Sequence, residues 1–282
     1  MSHFESDPAA AAHQRLLNNI HWELIPMKNL EKQKQHVPAG APVSMTCSPV
    51  KGIDETVRLT EEFVQRGHPV TPHFAARMMH SREHLAEALG RIEAAGVTHL
   101  FCIAGDGEEP AGPYADSVKL IADVVDMSTS LTHVGFGSYP DGHAFISDAD
   151  LRTALHEKQA MVQQAGLSGW TSTQMCFDAA KIRSWLEQER AAGLEMPVYL
   201  GVAGAVDRTK LMTMGMRLGI GASLSYLKKN KSTMGKLLGA GYDANQLIAE
   251  LAGDADRLNI TAVHGFTFNQ VESTVQWLNA SR

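Results

Sequence analysis

A short set of side chains in this sequence could do acid–base or hydrogen-bonding chemistry: Glu23, Thr46, His73, Asp106, Tyr139, His143, Gln174, Asp178 and Asn269. Glu23 stands between Trp22 and Leu24. A carboxylate flanked in this way is partly desolvated, which favours its protonated form and suits a general acid, although pairing with a basic neighbour is its plainer use. Asp106 lies in Ala-Gly-Asp-Gly-Glu-Glu, where capping a turn is the commoner use of Gly-Asp-Gly. His68, His73, His133, His143 and His264 are spread over separate apolar runs, as in barrel metallohydrolases, but no His-x-His pair ends the first run and there is no HExxH. No metal site is expected. None of the runs ends in a lysine, which disfavours a Schiff-base aldolase. GFGS and GIGAS lack the third glycine of a dinucleotide fingerprint, so a Rossmann site is not expected either.

The elements that must position these residues alternate along the chain. Apolar, β-rich runs occupy 21–27, 42–48, 69–76, 99–105, 133–139, 170–177, 197–204 and 262–269. Helical patterns lie between them, among them 54–66, 82–96, 114–126, 148–166 and 178–193, with Ser, Asp or Thr near many starts and Gly closing several. Eight strands, each followed by a helix, predict a (β/α)8 TIM barrel of the α/β class as one catalytic domain over 1–282. An extra N-terminal helix is expected at about 8–19, with a helical insertion at about 219–258 before the last strand, suited to a lid or an oligomer contact. The last strand is followed by one helix, so no regulatory domain is expected. In such barrels the chemistry sits at the C-terminal ends of the strands, where the polar residues named above fall.

Composition narrows the partners. Lys plus Arg number 25 against 31 Asp plus Glu, a net charge of −6, which excludes a binder of nucleic acid acting through bulk positive charge. Lys228, Lys229 and Lys231 form a small basic run that reads as a solvated face or a clamp for an acidic tail. The cysteines Cys47, Cys102 and Cys176 are far apart and each lies in an apolar run, against a disulfide framework or a zinc site and toward a reducing cytoplasm. No apolar stretch reaches the length of a membrane span.

With strands placed, the strand-end motifs resemble those of the flavin-containing catalytic domain of the methylenetetrahydrofolate reductase family, in order and over most of the chain. WELIPMK resembles its first-strand segment, SMTCSP its second, TPHF its third, FCIAGD its Arg-Gly-Asp segment, YADSVKLI its Tyr-Ala pair, GSYPDGHAF its Gly-Tyr-Pro-x-Gly-His segment, and TSTQMCFDAA its Thr-Gln-x-x-Phe-Asp segment. The resemblance implies FAD as cofactor, contacted by Thr46, His73, Gly105, Asp106, Tyr114, Ala115, Tyr139, His143 and Lys158. It implies Glu23 and Asp106 as catalytic residues, with Gln174 beside them on the folate pterin. The implied reaction interconverts 5,10-methylenetetrahydrofolate and 5-methyltetrahydrofolate in one-carbon and methionine metabolism, with NADH or NADPH as electron donor, in a cytoplasmic enzyme that could be a homo-oligomer.

Departures from the pattern all remove positive charge. Ala104 replaces the expected arginine, Met161 stands where a lysine is expected with Lys158 one turn earlier, and Gln270 replaces the arginine after the last strand. Glu108 and Glu109 add negative charge nearby. These losses bear on how FAD phosphates and a nicotinamide would be held. They leave two alternatives open: 5-methyltetrahydrofolate oxidation with a non-nicotinamide acceptor, and a non-catalytic folate-binding barrel.

Overall fold

The computed structural model describes residues 7–217 and 244–282. The chain forms a closed eight-stranded parallel barrel in the order β1 to β8, with helices outside: a (β/α)8 TIM barrel. The strands are β1 (Ile20–Leu24), β2 (Val43–Met45), β3 (Val70–Ala75), β4 (His99–Ile103), β5 (His133–Ser138), β6 (Ser168–Thr173), β7 (Val198–Ala203) and β8 (Ile260–Phe266). The helices are α1 (Pro8–Asn18), α2 (Leu30–Gln33), α3 (Gly52–Gln65), α4 (Arg82–Ala94), α5 (Ser117–Met127), α6 (Asp148–Gln164), α7 (Ala179–Ala191), α8 (Arg208–Arg217), α9 (Ala244–Ala252) and α10 (Val271–Ser281).

Local chemistry explains where the helices begin. Asp7, Ser81, Asp116, Ser147 and Asp178 each accept backbone N–H bonds at the first turn of α1, α4, α5, α6 and α7, satisfying donors that the helix itself cannot. Each helix then lays an apolar stripe on the barrel. Ile53, Val57 and Phe63 do so on α3, and Leu120, Ile121 and Val124 on α5. Trp22 and Leu24 on β1 point outward into this layer, so Glu23 between them points into the lumen.

The expected N-terminal helix is α1, which packs against α9 and β8. Of the expected insertion, α9 is described, whereas 218–243, with Lys228, Lys229 and Lys231, lies outside the described residues. The strands end up to four residues earlier than their apolar runs suggest. The run 170–177, for example, stops as a strand at Thr173, because the following residues turn toward the N-cap of α7.

The lumen is filled by rings rather than by branched aliphatics. His73 on β3 lies 5.7 Å from His264 on β8 and 4.7 Å from Phe101 on β4, measured between ring centroids. Since β1 and β2 separate β3 from β8, the first of these contacts crosses the barrel. Nearer the N-terminal ends, His99 and His133 stack at 4.1 Å, and His21 meets Tyr199 at 4.7 Å. Trp170 is 5.9 Å from both Phe101 and His99. Gly135 admits that indole: a Cβ there would stand 2.2 Å from Trp170 Cε2.

Candidate active site

Glu23 is the second-last residue of β1, in register with Ser44 of β2 and Phe266 of β8. The residue is buried, 7% exposed. Its Oε2 shares a hydrogen bond of 3.0 Å with Nε2 of His264, itself 3% exposed. The Thr267 hydroxyl donates to the Glu23 carbonyl at 2.5 Å and fixes the strand end. His73 faces the same point: one ligand-type atom from each of Glu23, His73 and His264 lies within 4.8 Å of the others. Its Nε2 is buried with no partner among the described residues, as is the hydroxyl of Ser172 on β6. Burial and the charge of His264 hold His73 well below the ordinary histidine pKa, so it is neutral. His21, one layer deeper, is lowered to about 4 by burial, then by His264 and His99.

A second group forms the rim. Tyr139 follows β5 and folds back over Gly137, its hydroxyl 3.6 Å from where a Cβ would stand. Burial, and then the charge of Asp106, raise the Tyr139 phenol above its usual pKa. His143 meets Tyr139 edge-on at 5.4 Å. Gln174 is half-buried beside β5, its N–H donating to the Ser138 carbonyl and its side-chain oxygen accepting from Met175 N. Thr46 is half-buried at the end of β2, its N–H bonded to the Leu24 carbonyl. Gly105 adopts φ +89° with a would-be Cβ 3.0 Å from Ala75 Cβ, so the loop after β4 passes close over β3 as bare backbone.

Other predicted residues lie elsewhere. The Tyr114 side chain is fully buried, its hydroxyl donating to Asp123 at 2.7 Å, and anchors the start of α5 instead of facing the mouth. Ala115 is exposed, and its carbonyl accepts from Arg77. Lys158 is 6% exposed on the inner face of α6, its ammonium 4.9 Å from the centre of the Phe136 ring, and burial lowers its pKa to about 8. Its ammonium therefore packs on an aromatic face in the layer between α6 and β5. Asp178 caps α7, and Asn269 ties Ile25 and Asn29 to the end of β8. Both are structural.

Two residues that sequence reasoning missed now stand out. His264 was weighed only as a metal ligand, although its two-residue spacing to Phe266 on β8 marks it as lumen-facing. Arg77 donates to the carbonyls of Glu108 and Ala115 and pins the acidic loop after β4. Its backbone N–H donates to the Ala104 carbonyl, while its guanidinium is committed to the other two carbonyls.

Residues 27–280 match the family described as methylenetetrahydrofolate reductase. The chain belongs to the methylenetetrahydrofolate reductase family. The match begins four residues after Glu23, so the case for Glu23 stands on geometry and on its own sequence motif. Family membership makes the chain a folate-related oxidoreductase with a folate substrate, in a family that generally binds FAD. Among solved structures the chain is similar to a protein of Burkholderia cenocepacia J2315 described as a phosphonomutase (14% identity, 82% of this chain and 99% of that one, TM-score 0.45). It is also similar to Burkholderia cenocepacia dihydropteroate synthase (15% identity, 93% and 89%, TM-score 0.46). At these scores the likeness carries no argument about function. No described helix is long and apolar enough to cross a membrane.

The lumen and rim fit a flat flavin ring. The unpartnered Nε2 of His73, the bare backbone at Gly105 and the Tyr139–His143 pair supply polar and planar contacts around the mouth. The pyrophosphate end is less well matched, because nearby cations are engaged: Lys181 with Asp141, and Arg152 with the buried Glu189, which also holds His156. Gln270, at one of the missing arginines, exchanges two hydrogen bonds with Asp207.

Proposed function

We propose that this protein interconverts 5,10-methylenetetrahydrofolate and 5-methyltetrahydrofolate, with Glu23 as the general acid and a reduced nicotinamide as the source of electrons. The observation that carries this reading is a buried carboxylate at the end of β1, held by a histidine across the neighbouring strand and aimed into a lumen that opens at the mouth. Opening the five-membered ring of the substrate requires a proton on the bridging amine nitrogen as its bond to the methylene carbon breaks. A carboxylic acid in a dry site delivers such a proton efficiently. Hydride then adds to the methylene carbon and yields the methyl group.

The other residues bind and orient. Gln174 would hydrogen-bond the pterin, and Asp106, whose negative charge acts on Tyr139, would tune the flavin and orient the pterin. FAD, when bound, would supply a hydride relay between nicotinamide and folate; Thr46, His73, Gly105, Asp106, Ala115, Tyr139 and His143 are the residues that would hold it. The Tyr114 side chain would contribute only by positioning the backbone at Ala115. The scattered cysteines Cys47, Cys102 and Cys176 suit the reducing cytoplasm, where this one-carbon step would feed methionine synthesis.

The test is purification followed by an absorbance spectrum and a product assay. The proposal expects 5-methyltetrahydrofolate to form from 5,10-methylenetetrahydrofolate and NADH or NADPH, with a flavin band near ~450 nm if FAD serves as the relay. Absence of product with either nicotinamide, with or without added FAD, overturns it. Methyl-folate consumption only with an artificial acceptor would favour the oxidative alternative, in line with the engagement of Arg152, Lys181 and Gln270 among the described residues.

A further inference from the structure

We infer that Lys210 recognises the glutamate end of the folate, its ammonium pairing with a tail carboxylate at the mouth between β7 and β8. The inference rests on the reaction proposed above for its substrate class and deepens it by naming a residue that selects that substrate.

A folate is a pterin joined through a p-aminobenzoyl ring to glutamate, so beyond its reacting nitrogens it carries carboxylates that a cation at the mouth can select. The chain's net charge of −6 works against such a ligand unless a cation is placed locally. Lys210 lies in the first turn of α8, the helix that follows β7. Its Nζ donates to the carbonyl of Phe268, two residues past Phe266, which is the β8 residue in register with Glu23. Thr267, between them, donates its hydroxyl to the Glu23 carbonyl. The ammonium thus stands at the strand end that borders the proposed acid, one step nearer the mouth.

The backbone holds it there. Phe268 and Asn269 adopt φ +47° and +55°, in the left-handed region that residues other than glycine seldom occupy. The Asn269 side chain fixes this turn by accepting from the Ile25 N–H and donating to the Ile25 carbonyl and to Asn29, and Phe268 is buried. Backbone strain kept in place by so many contacts points to function. Its result here is a carbonyl aimed at Lys210.

The charges around Lys210 leave its ammonium open to an anion. Asp207 is its acidic neighbour, but Oδ1 of that carboxylate accepts from the Lys210 backbone N–H and Oδ2 from the Gln270 amide. Asp207 is therefore engaged by neutral donors, and the ammonium meets a neutral carbonyl. Lys181 and Arg152, by contrast, are each paired with a carboxylate, Asp141 and Glu189. Lys210 is half-buried, and burial lowers its pKa while the charge of Asp207 opposes that shift. A carboxylate arriving there would favour the charged lysine, and partial burial preserves more of the attraction than a fully exposed pair would keep. The same placement gives Gln270 a meaning: the arginine expected at that position is absent, and the helix after β7 sets a cation on the adjoining carbonyl instead.

The test is equilibrium binding to the full purified chain of two ligands: 5-methyltetrahydrofolate and its diamide, the same molecule with both glutamate carboxylates converted to carboxamides. The parent is expected to bind the dicarboxylate at least about 10-fold more tightly than the diamide. Lys210→Met should bring the two within about threefold by weakening the dicarboxylate alone, whereas Lys210→Arg should keep the preference. Added sodium chloride should weaken dicarboxylate binding in the parent and leave it level in Lys210→Met. A Lys210→Met protein that keeps the preference overturns the inference. So does one that loses both ligands equally, because that is what a lysine serving only to hold the Phe268 carbonyl would do. A parent that selects the dicarboxylate yet forms no product separates the two claims: the proposed reaction fails and the tail site stands. A parent that binds neither ligand overturns both.

Discussion

The two ends of the barrel lumen use the same residue to opposite effect. Toward the N-terminal ends of the strands, His99 stacks on His133 and His21 packs on Tyr199, with no carboxylate among the ring contacts. These imidazoles serve as flat, neutral packing, and burial lowers both His21 and His99 to about 4. Two residues further along β1, Glu23 takes a hydrogen bond with His264 while His73 keeps an unpartnered nitrogen. One carboxylate separates a packing layer from a site that can move protons. Barrel lumens usually hold branched aliphatics; here the lower layer packs rings, and the upper layer is where we propose the chemistry.

That contrast yields predictions of decreasing size. Glu23→Gln should lower kcat by about 10²- to 10⁴-fold while folate binding and the unfolding midpoint stay near those of the parent, as steady-state kinetics and urea titration would read. In the lower layer the pattern should invert. Gly135→Ala places a Cβ 2.2 Å from Trp170 Cε2 and should cost about 1–3 kcal/mol of stability, seen as a lower urea midpoint. Loss of kcat in that variant without loss of stability would break the division.

Acid should act on the lower layer. The folded-state values of His21 and His99 lie below the value of about 6.5 expected for an unfolded histidine, so between about pH 6.5 and 4 the unfolded chain binds more protons. Stability should therefore be full above about pH 6.5 and fall progressively as pH drops toward 4. His99→Phe should flatten that slope in urea titrations across the window. The smallest effect is expected at Lys158→Met: replacing a buried ammonium on the Phe136 ring should leave stability unchanged or raised by about 1 kcal/mol and leave cofactor affinity unchanged. A tenfold loss of FAD affinity would return Lys158 to the cofactor site.

The barrel was legible in the sequence because its signals are local. Each strand is a run of apolar residues bounded by turn formers, and the caps at Asp116, Ser147 and Asp178 sit directly before their helices. The polar residues at strand ends could be picked out for the same reason, whereas the acid role expected of Glu23 came from the resemblance of WELIPMK to the family's first strand. What could not be read was direction in space. Tyr114 and Lys158 turn into the layer between barrel and helices, a choice made by Asp123, which lies on α5 and accepts from Tyr114, and by Phe136, which lies on β5 beneath Lys158. His264 lies 241 positions from Glu23, and only closure of β8 onto β1 makes them partners. The positive charges missing at Ala104 and Gln270 were visible in the sequence, but the use of Arg77 to clasp two carbonyls and of Gln270 to hold Asp207 was not.

The account stands or falls on whether Glu23 delivers the proton that opens the folate ring. The most direct measurement is a single turnover with 5,10-methylenetetrahydrofolate and reduced nicotinamide, following 5-methyltetrahydrofolate by mass spectrometry in the parent and in Glu23→Gln at equal folate occupancy. The account predicts product in the parent and a rate at least about 10²-fold lower in the variant. Equal rates in the two proteins would contradict it.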